Sequence, residues 1–359
     1  MTSSSTAGGA AAGGTTTGGT TAGGAKTGVP SGSSAGGAGA ESGAVAQPGA
    51  GARLRPRRRA GVPARAGGLL VLPPLLVVAV FVGIPVVSGV LYTLGHFGGL
   101  NSVVASIGLH QYAADHWWGT LAAYRTVLTS DSFLRSLVVT VEVTVSSVVV
   151  VFALALAVAL YARLHGGRVA RLVTALAVTP LFLPAVIGSY AILTFYAGDG
   201  ALTTLAHTLG WGSAPRLSYT TWGVIVGQVW TNLPFAVLML TSGLAAVPDA
   251  LIEAARDAGA GPAQVVLRIL LPMTKVPAVI TATFTSIAVL GSFTVPYLVG
   301  PTAPTMLGVQ LANAFQSFNQ PQQSLVIAVV VFALASVVGV AYVRSNVRQA
   351  RDAARGGTQ

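Results

Sequence analysis

The residues best placed to do chemistry in this sequence sit in one polar stretch, Val247 to Pro272, between long apolar runs. Within it Glu253, Ala254 and Ala255 stand together, Asp257 and Gly259 follow, and Ile269, Leu271 and Pro272 close the stretch. One carboxylate beside a surface of alanines offers a charged contact on a smooth face, which is the chemistry of docking and not of bond making. Other features exclude covalent chemistry. The chain has no cysteine, so thiolate catalysis, disulfides and Cys-based zinc sites are ruled out. It has no G-x-x-x-x-G-K-[ST] phosphate loop, so it is not expected to hydrolyse ATP. Its histidines, His96, His110, His116, His165 and His207, are scattered without the helical pairing of a metal site. No Ser/His/Asp set or carboxylate pair falls at one depth, and no cofactor is expected. Apart from hydroxyl-bearing and aromatic side chains and Arg135 near the start of one run, three polar side chains lie inside apolar runs: Glu142, Gln228 and Asn232. Such groups are costly in hydrocarbon unless they face a partner, a neighbouring helix or a water-filled path.

The elements that must position these residues belong in a bilayer. Of 359 residues 53% are hydrophobic and only 8% charged, against about 25% charged in a soluble domain, and the mean hydropathy is +0.72. A net charge of +11 would suggest nucleic acid in a soluble chain. Here the hydrophobicity decides against it, and no nucleic-acid partner is expected.

Apolar runs recur at 69–94, 133–161, 172–197, 222–246, 276–299 and 324–343. At about 1.5 Å per helical residue each spans roughly 30 to 43 Å, enough to cross a hydrocarbon core of about 30 Å. The expected fold is an all-α membrane protein with six transmembrane helices. Charge, which did not define the runs, tests the count. With a cytoplasmic N-terminus, 17 of the 20 Lys and Arg fall inside, and only Arg125, Arg135 and Arg216 fall outside. Trp117, Trp118, Trp211 and Tyr219 fall in the outer segments. Both features predict an N-in, C-in topology.

The chain then divides into a tail at 1–66, a membrane domain at 67–345 with its loop at 247–275, and a cytoplasmic tail at 346–359. The first tail is rich in Gly, Ala, Ser and Thr, too poor in apolar residues to order itself, and is expected to be disordered. Its basic end (Arg53, Arg55, Arg57, Arg58, Arg59, Arg65) reads as a topological signal beside anionic lipid. The first apolar run is too long and too far from the start for a secretory signal, so it reads as a retained span.

Local rules parse the polar loop into two short helices. Asp249 is the expected N-cap after Pro248, and Gly259 takes the left-handed position past the end of the first helix. Gly261 and Pro262 restart a helix with proline in its first turn, and Pro272 ends or kinks it. On the second helix Val265, Val266, Ile269 and Leu270 form an apolar face suited to the bundle.

The pattern E-A-A-x3-G-x9-I-x-L-P is met at all seven specified positions, from Glu253 to Pro272. It resembles the EAA loop in membrane subunits of binding-protein-dependent ABC importers of type I. The resemblance covers about 69–343 and implies the six-helix permease fold of a prokaryotic plasma (inner) membrane. It also implies that Glu253 to Ala258 form a coupling helix docking on a cytoplasmic ATPase dimer, with Gly259 permitting the turn. The implied partners are that ATPase, which would hold ATP and Mg, a second permease subunit, identical or homologous, and an extracytoplasmic solute-binding protein.

Glu253-Ala-Ala-Arg-Asp-Ala-Gly-Ala260 is closer to the polyamine, ferric iron and sulfate branches than to the sugar type. Leu290 to Gly300 is similar to a stretch of spermidine/putrescine permeases. The expected solute is therefore a polyamine-like organic cation, with ferric iron, sulfate/molybdate or carbohydrate as alternatives. Glu142 could attract such a cation or balance Arg135, two turns away on the same helical face. Gln228 and Asn232, with Pro180, Pro184 and Pro234, could line a path or hold helices together. An ion-coupled secondary transporter would want ionisable groups at mid-depth in more than one span, and only Glu142 qualifies. A membrane anchor without transport would not need so compact a docking loop.

Overall fold

A computed structural model describes residues 64–212 and 214–356, and these contain helices and turns but no strand. Most of the expected N-terminal tail, including Arg53 to Arg59, and residues 357–359 lie outside the described residues. In chain order the helices are α1 (Ala64–Val78), α2 (Ile84–Thr93), α3 (Ser102–Ile107), α4 (Ala122–Leu128) and α5 (Asp131–His165). They continue with α6 (Gly167–Val178), α7 (Ala185–Phe195), α8 (Ala201–Thr208), α9 (Thr221–Ala245), α10 (Asp249–Asp257) and α11 (Pro262–Val265). The last five are α12 (Leu271–Met273), α13 (Lys275–Leu290), α14 (Thr294–Val299), α15 (Leu307–Gln316) and α16 (Pro321–Gly356).

The bundle is built around α5 and α9. Ser130 caps α5 by accepting the Phe133 N–H, and Asp131 complements the dipole of the first turn. The helix then runs 35 residues to Gly166, about 52 Å. Its buried seam is Ser136, Thr140, Val143, Ser147, Val151, Ala155 and Ala159, at spacings of three and four. Every member is small or β-branched, so the axis of α9 can come close, as membrane packing without a hydrophobic driving force requires. α9 supplies the opposing face from Ala236, Val237, Leu240 and Leu244. Two close approaches depend on glycine. A Cβ at Gly188 of α7 would collide with the Trp230 ring, and one at Gly243 would meet Pro277 Cγ at 2.5 Å.

Four helical stretches are long and apolar enough to cross a membrane: Val71–Thr93, Asp131–His165, Thr221–Ala245 and Pro321–Arg344. The third and fifth runs are not the unbroken helices their hydropathy predicts. Gly167–Phe182 and Ala185–Phe195 meet at 109°, and Pro262–Met273 and Lys275–Leu290 meet at 69°. Proline explains the first bend, because Leu183 before Pro184 is extended at φ −109° and ψ 130°. The fifth run is also interrupted at Gly291 to Phe293, where α13 ends and α14 follows. Counting each bent pair as one span gives six.

Two wide π turns precede prolines. Ala79–Gly83 comes before Pro85, and Val266–Leu270 before Pro272. In each the N–H of the residue just before the proline reaches back five positions, Ile84 to Ala79 and Leu271 to Val266. A proline that would clash in a regular helix is thereby carried without ending it.

Candidate functional site

The polar loop folds as a helix, a bend and a second helix. Asp249 is the first residue of α10 and not its cap; Pro248 holds the N-cap position and no side chain caps the helix. Pro248 fixes an extended backbone there (φ −59°, ψ 134°), which places Asp249 one residue inside. α10 ends where Gly259 turns left-handed at φ +84°, a conformation that other residues adopt at a cost. The Gly259 and Ala260 N–H groups close the helix end on the Arg256 and Ala255 carbonyls. Gly261 then caps α11, with Pro262 in its first turn and the Gln264 side chain accepting the Gly261 N–H at 3.2 Å.

Burial divides this unit into two sides. Ile252 of α10, with Val265 and Leu270 beyond the bend, is buried in the cluster that holds Val151, Ala155, Leu240 and Leu244. Val266 and Ile269 pack against that cluster, as the apolar face of the second helix requires. Glu253, Ala254, Asp257 and Gly259 are exposed, Ala255 is half-buried, and Leu271 and Pro272 carry the chain back towards α13. α10 therefore offers an outward surface of alanines with carboxylates at Glu253 and Asp257, backed by a buried apolar floor.

The three polar residues within the spans do not form one cluster. Gln228 is 1% exposed, and its Nε2 donates to Ser292 Oγ at 2.6 Å, in the break between α13 and α14. Asn232 Nδ2 donates to the Gln228 carbonyl at 2.8 Å and to its Oε1 at 3.3 Å. Glu142 lies on another face, exposed among Val138, Val141, Val145 and Val149 of α5. The only ion pair among the described residues is elsewhere, so Arg135 does not neutralise Glu142.

Sequence reasoning missed a polar cavity at the end of the bundle opposite α10. It has a volume of about 690 Å³ and lies between the start of α5, α15 and the start of α16. Asp131 and Arg135 line it with the carboxamides of Gln310, Asn313, Gln320 and Gln323 and the ring of Phe318. Gln310 donates to Ser132 Oγ at 3.2 Å, while its buried Oε1 has no partner among the described residues. The segment before α15 dips to the Thr140 hydroxyl, which accepts the Leu307 N–H at 2.9 Å. The concentration of carboxamides between 310 and 323 was the signal in the sequence, but their separation across a loop hid the cavity.

Comparison with known proteins gives this architecture its family. Residues 149–351 match the family described as binding-protein-dependent transport system inner membrane component, more than half the chain. This chain belongs to that family. Among its relatives is the trehalose transport system permease protein SugA of Mycobacterium tuberculosis, 29% identical over 62% of this chain and 73% of SugA. Another is the spermidine/putrescine transport system permease protein PotB of Haemophilus influenzae, 32% identical over 48% of this chain and 60% of PotB. A chain of a bacterial ABC transporter involved in the import of alginate shares the fold, with a TM-score of 0.65. It is 15% identical over 79% of this chain and 96% of that one. The permease is thus a multi-pass inner-membrane transport subunit of the type I importer fold, not an enzyme, and it carries no cofactor.

Proposed function

We propose that this permease forms half of the solute path of an ATP-driven importer and takes its power stroke through α10. The observation that carries the reading is the exposed Glu253-to-Asp257 surface on a firm apolar floor, ended by the left-handed Gly259. Such a knob can press into a cleft of a cytoplasmic ATPase and pass force to the bundle without deforming. In this reading the α10 end is cytoplasmic, both termini are cytoplasmic, and ATP and Mg are bound by the ATPase. Glu253, Ala254, Ala255, Asp257 and Gly259 make the docking unit; Ile269, Leu271 and Pro272 seat it. A solute-binding protein delivers cargo at the opposite end, and a second permease, identical or homologous, completes the path. The test is capture of the cognate ATPase by the full chain in lipid nanodiscs. Glu253→Lys should abolish capture while membrane insertion stays normal, and undiminished capture would refute the docking assignment.

For the solute, the cavity favours a neutral polyhydroxylated molecule. It holds one carboxylate, one guanidinium, four carboxamides and an aromatic ring, a balanced hydrogen-bonding surface within the size range of small-molecule sites. A polyamine would call for several carboxylates. The polyamine reading keeps support from the Leu290 to Gly300 stretch, the spermidine/putrescine relative and the exposed Glu142. Uptake of labelled trehalose and spermidine, side by side in proteoliposomes with ATPase and binding protein, separates the two. Asn313→Ala should lower trehalose entry in the first case, and Glu142→Gln should lower spermidine entry in the second.

A further inference from the structure

Arg163, in the last turn of α5, joins three elements that the docking reading needs to move together. Its Nε donates to the Leu244 carbonyl at 3.1 Å, and Nη2 donates to the Val247 carbonyl at 2.8 Å. The same Nη2 donates to the Asp249 carboxylate at 2.5 Å. Leu244 lies in the last turn of α9, where carbonyls lose their helical partners, Val247 lies in the connection, and Asp249 opens α10. A planar guanidinium can serve all three at once from one fixed plane, which an ammonium on a flexible stem does less well. The Arg163 side chain is 19% exposed and that of Asp249 is 74% exposed. The two carbonyl bonds are therefore the sheltered part of the fork, and the ion pair is the part that solvent screens.

We propose that Arg163 is a positioning residue that makes α10 move as one body with the ends of α5 and α9, so that displacement of the docking helix reaches the membrane helices undiminished. The proposal rests on the docking reading above. Ile252 anchors α10 to the core from one side. Without Arg163 that apolar contact would be left to resist sliding and pivoting at the start of α10. Apolar packing lacks the direction a forked hydrogen bond imposes.

The natural sequence has no cysteine, so spin labels can be attached at cysteines introduced for Ala250 on α10 and Leu134 near the far end of α5. The distance between them is read in the assembled complex of full chain and ATPase, with no nucleotide and then with ATP and vanadate. With Arg163 present the distance stays single and unchanged, because both labels ride on one body. Arg163→Gln shifts and broadens it when nucleotide is added, while the ATPase still binds and still releases phosphate. Arg163→Lys gives a partial effect, and Asp249→Ala a smaller one because both carbonyl bonds survive.

An unchanged, narrow distance in Arg163→Gln overturns the proposal, as does an Asp249→Ala effect equal to that of Arg163→Gln. If Arg163→Gln yields no monodisperse complex, Arg163→Lys decides: a broadened distance supports the link and a wild-type distance overturns it. Failure of the unsubstituted chain to bind ATPase removes the docking reading itself, an outcome distinct from rigid movement without Arg163.

Discussion

At the scale of single residues, burial separates groups that composition treats alike. Gln228 is an amide wholly enclosed and bonded to Ser292 and Asn232, so it holds α9 to the break after α13. Gln228→Leu should leave the Ser292 hydroxyl without its partner and remove the longer of the two Asn232 bonds, while the Asn232 bond to the backbone carbonyl survives; the cost should be about 1 to 3 kcal/mol, read as a lower thermal midpoint in detergent. Gly259 makes the opposite kind of demand. Its φ of +84° is set by backbone alone, and no atom would obstruct a Cβ. Gly259→Val should therefore cost about 1 to 2 kcal/mol through strain in the turn. The check is local: faster hydrogen exchange at 255–262 with the membrane helices unaffected. The sequence displayed the need at Gly259, because a glycine following a short amphipathic segment marks a left-handed end. It displayed Arg163 only as one of the charges at a span's end, because the carbonyls that hold it come from residues about eighty positions later.

Among the elements, hydropathy located every span but not the backbone path within it. A run of apolar residues has the same average whether it passes straight or turns by 109°, so the bend between α6 and α7 was legible only in Pro184. The bend before α13 falls at Thr274, two residues past Pro272, because the π turn lets the helix survive that proline. Replacing Pro272 with alanine should restore the lost hydrogen bond and let the turn tighten to an ordinary helix. In a solved structure of that variant, the Leu271 N–H should bond to the Leu267 carbonyl in place of that of Val266. The small-residue seam of α5 was visible as Ser, Thr, Val and Ala at helical spacing, yet its partner helix was not, since several neighbours could accept so smooth a face. The approach of α7 to α9 can be tested by a larger side chain. Gly188→Leu drives into the Trp230 ring, and overpacking of this kind costs about 1 to 3 kcal/mol, measurable as a fall in the denaturation midpoint.

For the whole molecule, membrane sidedness is the expectation on which the transport reading stands. Single cysteines at Ala250 and at Trp117 should be labelled by an impermeant thiol reagent from opposite sides, the first only after the cytoplasmic face is opened. Labelling of Ala250 from outside intact cells would reverse the topology and remove the coupling role of α10. The charge asymmetry supplied that expectation, because helix packing alone does not say which end faces the cytoplasm, whereas the placement of Lys and Arg does.

The first span is held to the rest mainly at one end. Only 6% of its most apolar window is buried, against 50% for α9. Its side-chain ties gather towards that end: the Asn101 amide to the Ser88 carbonyl, Tyr92 to Gln111, Thr93 to Tyr124, and the Gln322 amide to the Tyr92 and Thr93 carbonyls. That glutamine also bonds both the Tyr112 N–H and carbonyl. A helix hinged in this way is a separable part. Expressed as its own short polypeptide, it should reassociate with the remainder of the chain and restore activity in trans, provided Gln322 is intact.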